Sequence, residues 1–384
     1  MTYNININDL RLNLAIIQPT PFCNINCSYC YLPDRTTNHR MSRETLRKTI
    51  SFLMREPGLL DEGSSLVWHC GEPLAVPISF YHEAFDLLEE MNTGSTPVHV
   101  RYTTNGMLIN QEWCDLIKRR GHTNVRISLD GPQWLHDSNR VDRAGRGTYE
   151  RVMRGIELLK GNNIPFGISG VLSRKSLYTV QELWEFFKNI GSKDLNFSIE
   201  EQIGEHDSTS LDFQSSYSKV QEFFRTLLEL RNREAPDIYI RELDELIHQL
   251  PWLRAREELW TCLENMPFSL VTIAWDGSIS LFSPELLNTK SLTYGDFIFG
   301  NVTQHSIEDI LASPKFNKVL NDIHDGVDQC RTSCQYFGVC GGGSPAIKLS
   351  ANGSFRSTET LNCNLRIKAI IDGITEYLKH NAVR

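Results

Sequence analysis

The sequence lacks the features of three broad classes of protein. None of its apolar runs approaches the roughly 20 residues that a membrane-spanning helix needs, and its N-terminus has no charged stretch followed by an apolar core and a cleavage site. It also lacks a basic excess, since 39 Lys and Arg stand against 47 Asp and Glu and the net charge is −8. Proteins that follow a phosphate backbone carry the opposite balance. We therefore expect a cytoplasmic protein with neither a membrane nor a nucleic acid as its partner.

Cysteine is present in quantity and is clustered. Of the ten cysteines in 384 residues, seven form two groups. In a long chain without a secretion signal, such groups indicate metal ligands more often than disulfides. The length suits a barrel-sized domain followed by a smaller one. The first group comprises Cys23, Cys27 and Cys30, and the second comprises Cys330, Cys334, Cys340 and Cys363.

Strand and helix patterns alternate over the first 200 residues. Strand patterns fall at 12–18, 64–69, 97–104, 124–129, 165–172 and 194–200, and helix patterns fall at 42–56, 79–92, 110–120, 148–161 and 176–190. Alternation of this kind predicts an α/β fold with a parallel sheet wrapped by helices. Six such units predict a partial (β/α)6 barrel of the TIM type.

Several predicted strands carry polar residues on the face opposite their apolar residues. Side chains alternate between the two faces of a strand, so one face of the barrel strands collects polar groups near the C-terminal ends. Active sites of barrels lie at that end. The polar set includes Arg101, Thr103, Asn105, Arg126, Ser128, Asp130, Ser169, Asn196, Ser198 and Glu200.

The first cysteine group has the spacing C-x3-C-x2-C and is followed by Tyr31. Three thiolates on a short loop can hold three irons of a cubane cluster and leave the fourth iron open. A structural zinc site is the alternative, but it normally needs four protein ligands. The nearest further candidate ligand is His39, which no pattern places on this loop.

This loop resembles the signature loop of the radical S-adenosylmethionine (SAM) enzymes, and Gly71-Glu72-Pro73 resembles the motif with which that family holds the amino group of SAM. The resemblance implies a [4Fe-4S] cluster whose open iron binds SAM. Cys70 stands where the family usually has glycine, and we interpret it as a small buried side chain. The residues that the resemblance assigns to SAM or to the site around it are Tyr29, Gly71, Glu72, Asn105, Ser128, Asp130, Arg140 and Ser169.

The second cysteine group resembles a SPASM domain, which usually holds two auxiliary clusters. Two cysteine positions of that pattern are occupied by Phe282 and Ser344. The resemblance implies that both belong to the first auxiliary cluster, so we expect one auxiliary [4Fe-4S] cluster, held by the second cysteine group, with Cys262 left without a cluster. A four-cysteine zinc site is the alternative that spacing alone leaves open. The predicted domains are 1–204 (barrel), 205–261 (helical bridge) and 262–384 (SPASM-like).

The segment from Cys340 to Cys363, with its Gly341-Gly342-Gly343 run, resembles cyclophane-forming peptide maturases of the GrrM type. The resemblance implies a ribosomal precursor peptide, with a leader and an aromatic-containing core, as substrate. A 5′-deoxyadenosyl radical would take hydrogen from a β-carbon, which would then attack an aromatic ring two residues earlier. Glu200 is a possible base for the ring proton, with Glu201 beside it. An external reductant such as a flavodoxin or ferredoxin would supply electrons.

Two other functions remain open from the sequence. One is thioether or formylglycine formation in a peptide or protein, and the other is electron transfer through two clusters without SAM chemistry. The lengths before Cys23 and after Cys363 leave no room for a winged-helix leader-binding domain, so we expect the peptide to be recognised by the barrel mouth, the bridge or a separate protein.

Overall fold

The computed structural model describes residues 7–54, 60–92, 98–253 and 262–382. The strands are β1 (Leu12–Ile17), β2 (Ile25–Cys27), β3 (Leu60–Trp68), β4 (His99–Thr104), β5 (Thr123–Ser128), β6 (Arg140–Asp142), β7 (Phe166–Leu172), β8 (Asp194–Ile199), β9 (Tyr239–Ile240), β10 (Leu270–Ile273), β11 (Ser278–Leu281), β12 (Lys290–Ser291), β13 (Gly295–Asp296) and β14 (Gly300–Asn301).

The helices are α1 (Arg43–Met54), α2 (Ile78–Met91), α3 (Gln111–Arg120), α4 (Gln133–Asn139), α5 (Tyr149–Gly161), α6 (Val180–Asn189), α7 (Phe213–Glu234), α8 (Arg241–Gln249), α9 (Ile307–Ala312), α10 (Pro314–Ser333), α11 (Phe337–Cys340), α12 (Pro345–Asn352) and α13 (Ile370–Ala382). A π-helical segment, Cys363–Ala369, leads into α13. No helix in the described part of the chain has the length and apolar character needed to cross a membrane.

Ten strands form one mixed sheet in the order β14-β11-β10-β1-β3-β4-β5-β7-β8-β9. All neighbours from β10 to β9 run parallel, whereas β11 and β14 are antiparallel. Six parallel strands, β1, β3, β4, β5, β7 and β8, alternate with helices as a partial TIM-like barrel. The sequence prediction of this fold is confirmed.

Packing of aromatic side chains joins the helices to the sheet. The ring of Tyr81 on α2 lies edge-on to Tyr102 on β4 at 5.2 Å and to Trp113 on α3 at 5.1 Å. All three are buried, and edge-to-face contacts add to the gain from their burial. The α3 helix begins at residue 111 because Asn110 Oδ1 accepts a hydrogen bond from the Trp113 amide over 3.1 Å.

The inner and outer faces of the barrel strands follow the predicted alternation. Val125 and Ile127 of β5 are buried, while Arg126 and Ser128 are partly exposed. Arg126 pairs with Asp194 of β8, so these two side chains meet on the inner face. The predicted element ends lie within a few residues of those observed, except at residues 55–56 and 97, which lie outside the described residues. Residues 1–6, 254–261 and 383–384 of the predicted domains also lie outside the described residues.

Within the first 200 residues, two strands and one α-helix were not predicted. Strands β2 and β6 form a separate antiparallel pair, and α4 precedes β6 in the connection between β5 and α5. The sequence 269–281, two apolar runs joined by Asp276-Gly277, predicts a hairpin, and it is present as β10 and β11. Its β10 strand pairs in parallel with β1, so the C-terminal region extends the barrel sheet.

Candidate active site

The first cysteine loop is held by strand pairing outside the main sheet. Strand β2 lies antiparallel to β6, and this pairing sets Cys27 opposite Arg140. Arg143 donates from Nε and Nη2 to the Cys23 carbonyl oxygen over 3.0 and 2.8 Å. The protein backbone and Arg143 therefore fix the positions of Cys23 and Cys27.

Three residues predicted separately form one buried group beside this loop. Arg140 Nη2 donates to Asp130 Oδ1 over 3.1 Å, and the Tyr29 hydroxyl donates to Asp130 Oδ2. The Arg140 guanidinium lies 5.3 Å from the centroid of the Tyr29 ring, and Arg140 Nη1 lies 3.8 Å from Cys27 Sγ. Burial opposes the charge of Arg140, but Asp130, Tyr29 and Cys27 outweigh it and raise its pKa. Asp130 and Arg140 thus place a compensated positive charge against a cysteine sulfur, and their contact with SAM stays a prediction.

The turn after β3 needs glycine at one position. Gly71 has φ +138°, and a Cβ there would lie 2.2 Å from the Thr20 carbonyl oxygen. Cys70 has φ 63° and is fully buried. It packs with Ile16, Val67 and Leu270, as expected of a small buried side chain.

Glu72 ties the end of β3 to the end of β4. Its Oε1 accepts hydrogen bonds from Thr104 Oγ1 over 2.7 Å and from the Leu74 amide over 3.0 Å, and its Oε2 accepts from the Asn105 amide over 2.8 Å. Burial raises the pKa of Glu72 to about 7, against these hydrogen bonds, which lower it. A nearby ammonium group would favour the ionised carboxylate, so Glu72 suits the neighbourhood of the SAM amino group.

The other predicted SAM contacts lie at the same edge of the barrel. Asn105 Nδ2 donates to Asn24 Oδ1 over 2.7 Å and lies 3.9 Å from Cys23 Sγ. Ser128 and Ser169 are direct neighbours in the pairing of β5 with β7. The C-terminal ends of parallel strands thus bring these residues to the side of the cysteine loop.

The first cysteine group fits a cubane cluster. Burial raises the pKa of Cys23 to about 12 and that of Cys27 to about 11, and each thiol also interacts electrostatically with Cys30. A buried thiolate needs an opposite charge nearby, and cationic iron would supply that charge and deprotonate the thiols that bind it. His39, the zinc-ligand alternative, stacks on Trp275 with ring centroids 4.3 Å apart.

The second cysteine group lines a single cavity of about 750 Å³. Its members come from the end of α10, the turn after it, the end of α11 and the start of the π-helical segment. Burial, followed by the charges of Cys363 and Cys330, raises the pKa of Cys340 to about 12. No three Cys, His, Asp or Glu side chains of the described ranges converge closely enough to hold a single metal ion. The four thiols surround a shared space, which fits a multi-iron cluster.

Other residues occupy the two positions where the SPASM pattern has cysteine, and they make contacts of their own. Phe282 is fully buried and stacks on Phe316 with centroids 6.1 Å apart. The Ser344 hydroxyl donates to Glu264 Oε2. Cys262 lines the cavity beside Glu264, and burial, followed by the charge of Glu264, raises its pKa.

The two predicted catalytic glutamates have different surroundings. Glu200 Oε2 accepts hydrogen bonds from the amide and hydroxyl of Ser210, and its Oε1 lies 3.3 Å from His206 Nε2. Glu201 Oε1 accepts from Asn362 Nδ2, and Asn362 lines the cavity. Burial raises the pKa of Glu201 to about 7, and Arg366 lowers it in part.

Glu264 and Arg366 are among the charged residues of the cavity wall that sequence reasoning missed. Glu264 has its pKa raised by burial and then by Glu285. Burial lowers the pKa of Arg366, but the charges of Glu201 and other carboxylates outweigh this effect and raise the pKa. The available signal was position, because Glu264 follows Cys262 by two residues and Arg366 follows Cys363 by three.

Two family descriptions match the sequence. That of the radical SAM superfamily matches residues 17–189, and that of the SPASM iron-sulfur cluster-binding domain matches residues 262–335. An uncharacterized protein of Synechocystis sp. is 39% identical over 373 residues, which are 96% of this chain and 92% of that protein. A serine-type anaerobic sulfatase-maturating enzyme of Bacteroides thetaiotaomicron is 24% identical over 85% of this chain and 81% of its own length.

Two solved structures have a similar fold. The anSMEcpe structure with bound AdoMet and Kp18Cys peptide has a TM-score of 0.77 and 21% identity, and the match covers 97% of this chain and 99% of that one. Streptococcus suis SuiB bound to its precursor peptide SuiA has a TM-score of 0.66 and 16% identity, over 92% and 76% of the two chains. The matched domains imply a SAM-binding [4Fe-4S] cluster and an auxiliary cluster. The chain therefore belongs to the radical SAM superfamily and carries a C-terminal SPASM domain.

Proposed function

We propose that this protein is a maturase of a ribosomally made peptide and closes a three-residue cyclophane, in which an aromatic ring carbon is joined to the β-carbon of the residue two positions later. The cavity beside the auxiliary cysteines carries this proposal. Its volume of about 750 Å³ falls in the range of sites that enclose a ligand of drug size. Ser344 stands in place of a thiol in its wall, so the cavity, part of which the auxiliary cluster would fill, combines one cysteine set with carboxylates such as Glu264.

A peptide substrate is supported by the structural relatives. SuiB has been solved with its precursor peptide SuiA, and anSMEcpe has been solved with the Kp18Cys peptide. Both share the fold of this chain. The proposal also includes an external reductant such as a flavodoxin or ferredoxin, and a cytoplasmic location.

The protein side chains would have two roles, one in binding SAM and the other in holding the auxiliary cluster. SAM and its cluster, when bound, supply the carbon-centred radical chemistry. Glu72, Asn105 and Ser169 would orient SAM, and the Asp130–Arg140 pair would hold the cysteine loop in place. The auxiliary cluster would be held by Cys330, Cys334, Cys340 and Cys363.

Restoring aromaticity to the attacked ring requires loss of one electron and one proton. The auxiliary cluster, when bound, would accept the electron, and Glu201 suits the role of proton acceptor better than Glu200. A general base works best when its pKa lies near the working pH, and burial raises the pKa of Glu201 to about 7. Among the described residues, Glu201 Oε2 accepts no hydrogen bond, whereas both oxygens of Glu200 have polar neighbours. We therefore assign the base role to Glu201.

The test is intact-mass spectrometry of the short peptide encoded beside this gene, after co-expression with the enzyme. We expect loss of two hydrogen atoms per crosslink, with every peptide thiol still open to alkylation and no aldehyde detected by a hydrazide probe. The Cys27→Ala enzyme is the control, because it removes one ligand of the SAM-binding cluster far in sequence from the cavity. It should leave the peptide unmodified.

The same experiment separates the alternative functions. A blocked thiol with the same mass loss would indicate a thioether, and a hydrazide-reactive product would indicate formylglycine. A reduced enzyme that fails to cleave SAM would indicate an electron-transfer protein. Each of these three results would reject the cyclophane proposal.

A further inference from the structure

A buried lysine contacts one ligand of the proposed auxiliary cluster. Lys348 on α12 is 4% exposed. Its Nζ donates to Cys330 Sγ over 3.4 Å and to the Gly326 carbonyl oxygen over 3.1 Å. The ammonium group therefore has one acceptor on the backbone of α10 and one on the cysteine.

Cys330 is the group that can supply this lysine with a negative charge. Among the described residues, no carboxylate lies within ion-pair distance of Lys348. Burying an ammonium group without an opposite charge is unfavourable. A Cys330 thiolate that binds iron supplies that charge at the place where the ammonium lies.

The position of Lys348 depends on close packing of α10 against the chain that follows α12. A Cβ at Gly326 would lie 2.0 Å from the Phe355 carbonyl oxygen, so only glycine allows this approach. Cys330 follows Gly326 by four residues, which places its thiol one helical turn further along the same face. The Lys348 ammonium thus reaches the Gly326 carbonyl and the Cys330 sulfur together.

We propose that Lys348 is a positioning residue that raises the reduction potential of the auxiliary cluster through its hydrogen bond to Cys330 and its buried positive charge. Hydrogen bonds to cluster sulfurs and the net charge around a cluster set its potential. Reduction adds one negative charge to the cluster, and a fixed ammonium nearby stabilises the reduced form. A raised potential suits a cluster that accepts an electron.

This inference rests on the proposed ligands of the auxiliary cluster and not on the cyclophane reaction. The potential is measured without peptide, so its result is independent of crosslinking. An unchanged potential would leave the cyclophane proposal standing. An unmodified peptide, conversely, would leave this inference standing.

The experiment is a redox titration followed by electron paramagnetic resonance on the full chain. Cys23, Cys27 and Cys30 are replaced by alanine, so that only the auxiliary cluster gives a signal. Lys348→Met, which keeps the length of the side chain but removes its charge, should shift the midpoint potential to a more negative value. A midpoint potential equal to that of the parent would overturn the proposal.

Lys368→Met is the matched control. Lys368 also lies near the second cysteine group, and its charge acts on Cys363. Its Nζ, however, pairs with Glu359 over 2.7 Å, so removing it should shift the potential less than Lys348→Met does. Equal shifts from the two substitutions would contradict a specific role for Lys348.

A Lys348→Met protein that fails to hold the cluster requires a second variant. Lys348→Arg keeps the positive charge and donors that can reach sulfur. Recovery of the cluster iron in Lys348→Arg, with a potential closer to that of the parent, would support the electrostatic role. Loss of the cluster from both variants would overturn it in favour of a packing role.

Discussion

At the scale of single residues, the proposed SAM side of the site consists of buried charged groups that the protein itself pairs or hydrogen-bonds. Asp130 and Arg140 are 1% and 7% exposed and bind each other. Glu72 is equally buried and accepts three hydrogen bonds from neighbouring strand ends. Buried groups of this kind keep one geometry because every alternative leaves a charge unpaired. The site is therefore preorganised before SAM binds.

Gly71→Ala should abolish SAM binding. The added Cβ would lie 2.2 Å from the Thr20 carbonyl oxygen at a φ of +138°, so the turn that carries Glu72 would have to move. The measurement is equilibrium binding of SAM to the reconstituted enzyme. Gly121→Ala is the control, because φ is +56° there but no atom lies within 4 Å of the added Cβ. It should bind SAM normally and lose about 1–3 kcal/mol of unfolding free energy, because φ 56° with ψ −175° is a conformation that almost only glycine adopts. Wild-type SAM affinity in Gly71→Ala would contradict the proposed site.

Crosslinking should become faster as the pH rises through about 7. Burial raises the pKa of Glu201 to about 7, and a base accepts a proton only in its ionised form, so the rate increases with the ionised fraction. Glu201→Gln should slow crosslinking by about 10²- to 10⁴-fold and remove this pH dependence, while cleavage of SAM continues. Single-turnover kinetics over a pH series would measure both effects.

Glu200→Gln is the control for this prediction. Glu200 carries the same charge one residue earlier, but its carboxylate binds Ser210 and lies beside His206. It should retain most of the crosslinking rate. A large loss in Glu200→Gln together with normal crosslinking in Glu201→Gln would return the base role to Glu200.

At the scale of elements, short strands and one pairing decide where the cysteines lie. The six barrel strands were predictable because each carries a run of apolar residues with a polar inner face. Strands β2 and β6 were not predictable, because each has only three residues, Ile25-Asn26-Cys27 and Arg140-Val141-Asp142. Three residues are too few to show a hydrophobic alternation. Their pairing also joins Cys27 to Arg140, which are far apart in sequence. The β10–β11 hairpin was predictable from its Asp276-Gly277 turn, but its parallel partner β1 was not.

A fragment ending at residue 253 should fail to give a soluble, SAM-binding barrel. Leu14–Ile17 of β1 pair with Leu270–Ile273 of β10, and removing β10 exposes the edge of β1 to association with other chains. Size-exclusion chromatography and SAM binding would measure the effect. The control replaces residues 291–293 by Gly-Ser-Gly, because Leu292 and Thr293 are exposed and the buried Tyr294 is kept. A monomeric fragment with normal SAM affinity would contradict the structural role of β10.

At the scale of the whole molecule, spacing predicted the two cysteine groups but not the charged residues in and around the cavity that the second group lines. Each group is compact in sequence or matches a known pattern, so its members could be found without a structure. Glu201, Glu264 and Arg366 come from three distant parts of the chain and interact only after folding. Nothing in their local sequence distinguishes them from solvated charges. Lys348 likewise resembles an ordinary helical lysine until α10 is packed against α12.

The full chain should bind two [4Fe-4S] clusters and not three. Phe282 and Ser344 provide no thiolate, and Cys262 is left with Glu264 as its neighbour. Iron and sulfide analysis with Mössbauer spectroscopy should give about eight irons per chain. Cys334→Ala should lose the auxiliary cluster, whereas Cys262→Ala should retain both clusters. Three clusters in the wild-type protein would refute the assignment.

The central claim is a carbon–carbon bond between an aromatic ring and a β-carbon two residues later. Nuclear magnetic resonance of the purified modified peptide tests it most directly. The account predicts that one ring carbon loses its hydrogen, that the β-carbon loses one of its hydrogens, and that a long-range carbon–hydrogen correlation joins the two. A modified peptide in which every ring and β-carbon keeps its hydrogens would contradict it.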